Sequence, residues 1–375
     1  MSFDVGVIGG GVIGCAIAYN LAKFGQKNVV VFERQYPGAG STGRCGAGVR
    51  QQWGLEMNCR LARGSVKIFE QLSSELGVDI EFRQGGYLVL AHTEKQIEQF
   101  EKNVSLQNSL GIPSRIITVE EALEIVPYLN PESFIAATFC PTDGHANPLL
   151  TNYAYAKAAE RLGVKVMKFT EVSGVERSNG VFKLTTSRGD FEVGCLVNAA
   201  GGYSKPVAAM VGVDIPTYSE RHQILVTAPV PRMFDCMVIS FTSGIYAQQV
   251  PQGSFVLGIA ENEEPSYNTN SSWQFLEHIT YEVTSILPVF GELSIVRQWA
   301  GLYNKTPDSQ PILGEVSQGF FVAVGFSGHG FMIAPKTAEI MAKLILGIKP
   351  DIDISYLSLD RFEKGELIVE PSVVG

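Results

Sequence analysis

The feature that most constrains this chain is its opening, Asp4 to Arg34. Val5–Ile8 reads as a short buried strand, and Gly9, Gly11 and Gly14 then fill the glycine positions of G-x-G-x-x-G. Val12 and Ile13, inside that motif, open a helix expected to run to about Phe24. A second apolar strand, Val29–Phe32, ends in Glu33, nineteen residues beyond Gly14. Strand, glycine turn, helix, strand and acid in this register make a βαβ dinucleotide-binding unit. The glycines permit a tight turn and close backbone approach, the helix N-terminus receives a pyrophosphate, and Glu33 accepts from a ribose hydroxyl. The unit predicts an α/β protein built on a doubly wound sheet.

Composition narrows the function classes. The 375 residues make roughly two domains' worth of chain at about 150 residues each. With 45% hydrophobic and 18% charged residues, the chain should form a large core. A net charge of −9, with no Lys/Arg run, argues against nucleic-acid binding. No apolar run reaches the ~18 residues of a membrane span, and the N-terminus enters directly into a strand, so a cytoplasmic protein is expected. The six cysteines form no C-x-x-C pair, as in buried thiols of a reducing compartment, and no metal site is expected.

Further glycine-rich stations recur along the chain. Pro37–Gly48 interleaves glycines with Ser41, Thr42 and Arg44, as in a loop whose amides approach an extended cofactor. Helices are expected over 56–76, 94–110, 119–126 and from Pro148 to 162. The strand 191–198 leads into Asn198-Ala-Ala-Gly-Gly202. From His222 the pattern becomes one of alternating strands broken by a helix over 271–287, as in an antiparallel sheet with one helical face. Phe320–Gly325 then returns to buried strand, followed by Phe326-Ser-Gly-His-Gly330 and a helix from about Met332. We therefore expect a cofactor domain over 1–80, 145–215 and 300–375, and a substrate domain over 81–144 and 216–299. Contacts from both ends of the chain suit a long, enclosed cofactor, FAD better than NAD.

Together, Gly9-Gly-Gly-Val-Ile-Gly14 with Glu33-Arg34, the Gly-Ser-Thr loop, Asn198-Ala-Ala-Gly201, Thr306-Pro-Asp-Ser-Gln-Pro-Ile-Leu-Gly314 and Gly325-Phe-Ser-Gly-His-Gly-Phe331 resemble the FAD-dependent D-amino-acid oxidase/sarcosine oxidase/glycine oxidase superfamily. Gly43–Trp53, Trp299–Asp308 and Gly325–Pro335 are similar, more narrowly, to the FAD-bearing β subunit of archaeal dye-linked L-proline dehydrogenases. The resemblance implies a glutathione-reductase-like Rossmann domain with an inserted α+β substrate domain. It also implies oxidation of an amino acid to an imine, with hydride passing to the flavin and electrons to a dye or quinone-type acceptor. A cofactor set follows: Gly9, Gly11, Val12, Ile13, Gly14, Glu33 and Arg34 in the first unit; Ser41, Thr42, Arg44, Cys45, Gly46, Ala47 and Gly48 in the second loop; Val172, Ala199, Ala200 and Gly201; Gly301; and Gly328, His329, Gly330, Phe331 and Met332.

The same resemblance places substrate beside Arg50, His222, Tyr246, Tyr303 and Met332. Arg50 matches an arginine beside the flavin of sarcosine oxidases, against the plainer reading of a surface ion pair. Tyr246 matches a substrate-facing tyrosine of the family, against a half-buried strand tyrosine; His222 begins a strand beneath the expected flavin face, where it could orient substrate, against a histidine satisfied by backbone. Tyr303 stands where glycine oxidases carry an arginine, and Met332 where sarcosine oxidases carry a lysine, so carboxylate binding should fall on Arg50 and the tyrosines. Gly301 replaces the cysteine that bonds some flavins covalently, implying non-covalent FAD. Val256 replaces an oxygen-activating lysine, favouring a dehydrogenase. A second flavin, FMN, would belong to a complex with partner subunits. His145 lies in that region, and reads first as a turn residue leading a helix. An oxygen-using oxidase and a flavin-bearing subunit of a larger complex stay open as alternatives, as does self-association.

Overall fold

The computed structural model describes residues 1–178, 180–261 and 263–372. The opening unit forms as its pattern predicts, with strand Ser2–Ile8, helix Val12–Lys23 and strand Val29–Phe32. The two strands pair in parallel, and Lys165–Met167 extends the sheet on one side. On the other side Gly189–Asn198 and Phe320–Val324 follow in parallel, and Ile312–Ser317 closes the edge antiparallel. Side chains alternate along a strand, so Val29 and Val31 join the core on one face while Val30 and Phe32 join the core on the other.

Helices Val12–Lys23, Glu56–Leu76, Pro148–Arg161 and Gly330–Ile345 cover the first face. A meander of Val172–Ser178, Val181–Thr186 and Gly189–Asn198 covers the second. The expected doubly wound α/β architecture is present, with strands as the second covering layer.

A second sheet has eight strands in the order Ile295–Lys305, Tyr218–Thr227, Phe255–Ile259, Ile245–Gln249, Met237–Ser240, Tyr87–Ala91, Ala136–Cys140 and Arg115–Ile117. Its pairs are antiparallel except Met237–Ser240 against Tyr87–Ala91. Helices Val119–Ile125 and Trp273–Ile286 pack on one face through Ala122, Phe275, Ile279 and Val283. The strands 115–117, 136–140 and 237–240 were not expected, because each is short and none alternates apolar with polar residues. Among the described residues no helix is long and apolar enough to cross a membrane.

The tightest constraint sits at the first glycine turn. Gly9 has φ +114°, and a Cβ on it would lie 2.3 Å from the Ala199 carbonyl oxygen. A Cβ on Gly14 would lie 2.0 Å from the Gly9 carbonyl oxygen. Gly14→Ala should therefore displace backbone, cost ~1–3 kcal/mol, and lower the thermal midpoint. Gly174→Ala, whose methyl meets nothing nearer than 3.8 Å, is the control and should leave the midpoint unchanged in a thermal melt.

Candidate active site

The helix Val12–Lys23 begins at Gly11, which has no side chain to cap it. The Val12 amide donates instead to Thr42 Oγ1 at 3.0 Å, bringing the second glycine loop against the helix N-terminus. A Cβ on Gly11 would meet only that hydroxyl, at 3.2 Å, and one on Gly40 or Gly201 would meet almost nothing. These glycines therefore leave space beside their backbone, at the helix N-terminus, in the second loop and in the turn after Asn198. At the end of its strand, Glu33 is held by the Gly10 and Gln35 amides, each at 2.8 Å, one on each carboxylate oxygen. Beside it the Arg34 guanidinium lies 3.7 Å over the Tyr203 ring, which stacks on Tyr267.

The second loop makes a short turn over Ser41–Arg44. Its side chains bind protein: Ser41 Oγ donates to the Leu302 carbonyl at 2.7 Å, and Arg44 Nη1 to the Ala300 carbonyl at 2.7 Å. Trp299 Nε1 donates back to the Arg44 carbonyl. A Cβ on Gly301 would lie 3.1 Å from Arg44 Cβ, so this glycine lets loop and strand approach. What the loop offers a ligand is chiefly backbone. Val172 lies in the core beneath Phe32, and Ala199, Ala200 and Gly201 form the turn that abuts Gly9.

A cavity opens between the two sheets. Cys45–Gly48, Arg50, His222, Tyr246, Tyr303, Gly328, His329, Phe331 and Met332 line it, so the substrate-side residues named from the sequence converge from separate elements. Tyr87, Met237, Ile239 and Ala260 complete the wall and were not foreseen. Tyr87 could have been read from its place in an expected strand, whereas the Met237–Ser240 strand carried no signal.

His222 pairs with Gly301 across the strands, and its ring stacks on Tyr303 with centroids 4.2 Å apart. Its Nε2 lies 3.1 Å from the Tyr246 hydroxyl. Tyr246 stands opposite Gly258, where a Cβ would come within 2.1 Å of the phenol ring. This glycine makes room for the tyrosine. His329, the residue just before helix Gly330–Ile345, packs edge-on against Trp53, and its buried Nε2 has no partner among the described residues.

Arg50 is 2% exposed, which rules out the surface ion pair. Nη1 donates to the Gln52 carbonyl at 3.0 Å and Nη2 to the Ser372 carbonyl at 2.8 Å, with the cation 4.3 Å over Trp53. Among the described residues no carboxylate lies within ion-pair distance of it. Asp143, which the sequence offered only as turn chemistry, is fully buried and holds this stretch. It accepts from the Gln51 amide at 2.9 Å and from the Gln52 side chain at 3.1 Å. Burial raises its carboxyl to about 6. His145 pairs by backbone with Gly48 and lies outside the cavity lining.

Burial dominates the electrostatics. It lowers His222 to about 4, with the Lys305 ammonium adding to the shift, and lowers His329 to about 3. Burial also raises the Tyr87, Tyr246 and Tyr303 phenols. The cavity is thus walled by neutral aromatic groups around one buried cation.

Residues 4–344 match the model of the DAO family, described as FAD dependent oxidoreductase. The chain belongs to that family. Sarcosine oxidase subunit beta of Rhodobacter capsulatus is 30% identical, over 100% of this chain and 92% of that protein. The crystal structure of L-proline dehydrogenase from P. horikoshii is 39% identical and superposes with a TM-score of 0.94, over 98% of this chain and 99% of that one. The crystal structure of glycine oxidase from Geobacillus kaustophilus is 25% identical with a TM-score of 0.89, over 96% of this chain and 99% of that one. FAD is accordingly the cofactor of this oxidoreductase, and the residues present fit it. The open backbone at Gly11, Gly40 and Gly201, the Glu33 carboxylate, the two helix N-termini and the His329 Nε2, which lacks a partner among the described residues, are suited to a pyrophosphate, a ribose and a polar ring.

The buried histidine sets a pH dependence. In the unfolded chain His222 titrates near 6.5, but in the folded protein near 4, so the unfolded state takes up the proton first. Its contribution to stability therefore falls as pH drops from about 6.5 toward 4. His222→Phe should lose less stability than the wild type between pH 7 and pH 4.5, by roughly 2–3 kcal/mol, when urea unfolding is followed at both.

Proposed function

We propose that this protein dehydrogenates a secondary amino acid of the L-proline type to its imine, passing the electrons to an acceptor other than oxygen. The observation that carries this reading is the buried Arg50, which has no carboxylate within ion-pair distance among the described residues, on the wall of the same cavity as the His222–Tyr246–Tyr303 stack. An unpaired buried cation is costly and is relieved by an anion that enters with the substrate. Arg50 then binds the substrate carboxylate through charge-assisted hydrogen bonds. The neutral aromatic wall holds the apolar ring and leaves the amine uncharged, since no carboxylate in the cavity lining would retain its proton. The hydrogen-bonded His222 and Tyr246 orient the amine, and the closely packed rings exclude water. FAD, when bound, supplies the hydride acceptor.

Two further points support a dehydrogenase of this type. Val256 pairs with Gln248 and Val226, on the strand face that carries Tyr246, so that position offers no cation to promote oxygen chemistry. The 39% identity to L-proline dehydrogenase from P. horikoshii extends over nearly the whole chain. The natural acceptor in this reading is a quinone-type carrier or a partner subunit, and we place the protein in the cytoplasm. Residues 81–144 and 216–299 would form the substrate domain, and the rest the FAD domain.

The decisive experiment mixes the FAD-loaded protein anaerobically with L-proline, sarcosine, glycine or D-alanine while the flavin absorbance is followed. L-proline should bleach it, with slow recovery in air and fast recovery with a dye. Bleaching by sarcosine or glycine with fast recovery in air would make it an oxidase instead. Arg50→Lys, which keeps the charge but loses the planar fork, should raise KM for the amino acid by about ten-fold, with a smaller change in kcat.

A further inference from the structure

The hydrogen bond that fixes Arg50 Nη2 comes from the far end of the chain, from the Ser372 carbonyl. That segment is held firmly. Helix Glu56–Leu76 starts after Leu55, a residue with no capping group, and the two amides that lead into it are taken by Glu370. Glu370 Oε1 accepts from the Gly54 amide at 2.7 Å and from the Ser372 amide at 3.0 Å. Its Oε2 accepts from the Leu55 amide at 3.1 Å and from Asn58 Nδ2 at 2.8 Å. Pro371 fills the space beside Gly54, where a Cβ would lie 2.3 Å from its ring. Asn103 donates to Ser372 Oγ at 3.0 Å. Glu370 and Ser372 are only 8% and 3% exposed, whereas terminal segments that are not tied down fray.

We propose that Glu370–Ser372 is a positioning element of the substrate site. The Glu370 carboxylate, anchored on the helix N-terminus, sets the Ser372 carbonyl where it orients the Arg50 guanidinium toward an incoming carboxylate. The inference rests on Arg50 being the carboxylate anchor. One carbonyl acceptor is local, from Gln52, and the second is distant; with both in place the fork has a single orientation, and its remaining donors have no partner among the described residues. Removing the distant acceptor leaves the cation free to turn about its stem and weakens carboxylate binding.

The test uses FAD-loaded protein and acetate, a carboxylate that cannot be oxidised, titrated by its perturbation of the flavin spectrum. Ending the chain at Val369 should weaken acetate binding and raise KM for the amino acid by about ten-fold, with kcat changed less. Glu370→Gln, which keeps the shape but halves the acceptor capacity, should move both in the same direction if the truncated chain does not fold. Loaded truncated protein, or loaded Glu370→Gln if truncation prevents folding, that binds acetate as tightly as the full chain would overturn the proposal. Full-length Arg50→Lys separates the two ideas: if it too binds acetate unchanged, the carboxylate-anchor reading fails. If it binds weakly while the tail variants bind normally, that reading stands and the tail's role is lost.

Discussion

The strand Ile295–Lys305 is the seam on which the rest of the molecule closes. It pairs along its length with Tyr218–Thr227 in the second sheet. Its Ala300 and Leu302 carbonyls take the side chains of the second glycine loop, and at its end Asn304 Oδ1 accepts from the Gly325 amide. One element thus ties the antiparallel sheet to the loop beside the first helix and to the turn before the last. Strand alternation then sets Tyr303 and His222 on one shared face of the paired strands, and both line the cavity.

Closing two sheets around polar side chains has an energetic consequence. His222, His329, Arg50 and Tyr87 are buried and Tyr246 and Tyr303 partly so, and each imidazole responds by remaining neutral. Arg50 cannot escape in that way, so backbone carbonyls and the Trp53 face share its charge. The buried Glu220–Lys305 pair, at 3.3 Å, shows the alternative solution a few residues away, in which a cation is given its own carboxylate. Lys305 thus has its own carboxylate, whereas Arg50 has none within ion-pair distance among the described residues.

The first βαβ unit was legible almost to the residue, since its helix and strands are specified by local pattern and by glycines that only close packing explains. Helix 56–76 was equally plain from its apolar face. The short strands 115–117, 136–140 and 237–240 were not, because they are held by pairing with distant partners rather than by their own alternation. In the site, Arg50, His222, Tyr246, Tyr303 and Met332 were found through a family resemblance, and they do line one cavity. Asp143, Gly258 and Ser372 were missed. Their importance lies in burial, in the room left for a facing ring and in a main-chain carbonyl, none of which the side-chain type announces.

By itself, then, the sequence determined the cofactor-binding unit, the helical layer beside it and the chemical repertoire of the site. These follow from local periodicity, from glycine geometry and from side-chain chemistry. Tertiary structure alone decided that the Ser41 and Arg44 side chains reach across to the Leu302 and Ala300 carbonyls. It decided as well that three aromatic groups share one stack, and that the chain's last described residues hold the one free cation of the cavity, among the described residues. Those outcomes depend on contacts between residues from 24 to 322 positions apart, where the free energy of burial, and no local preference, selects the partner.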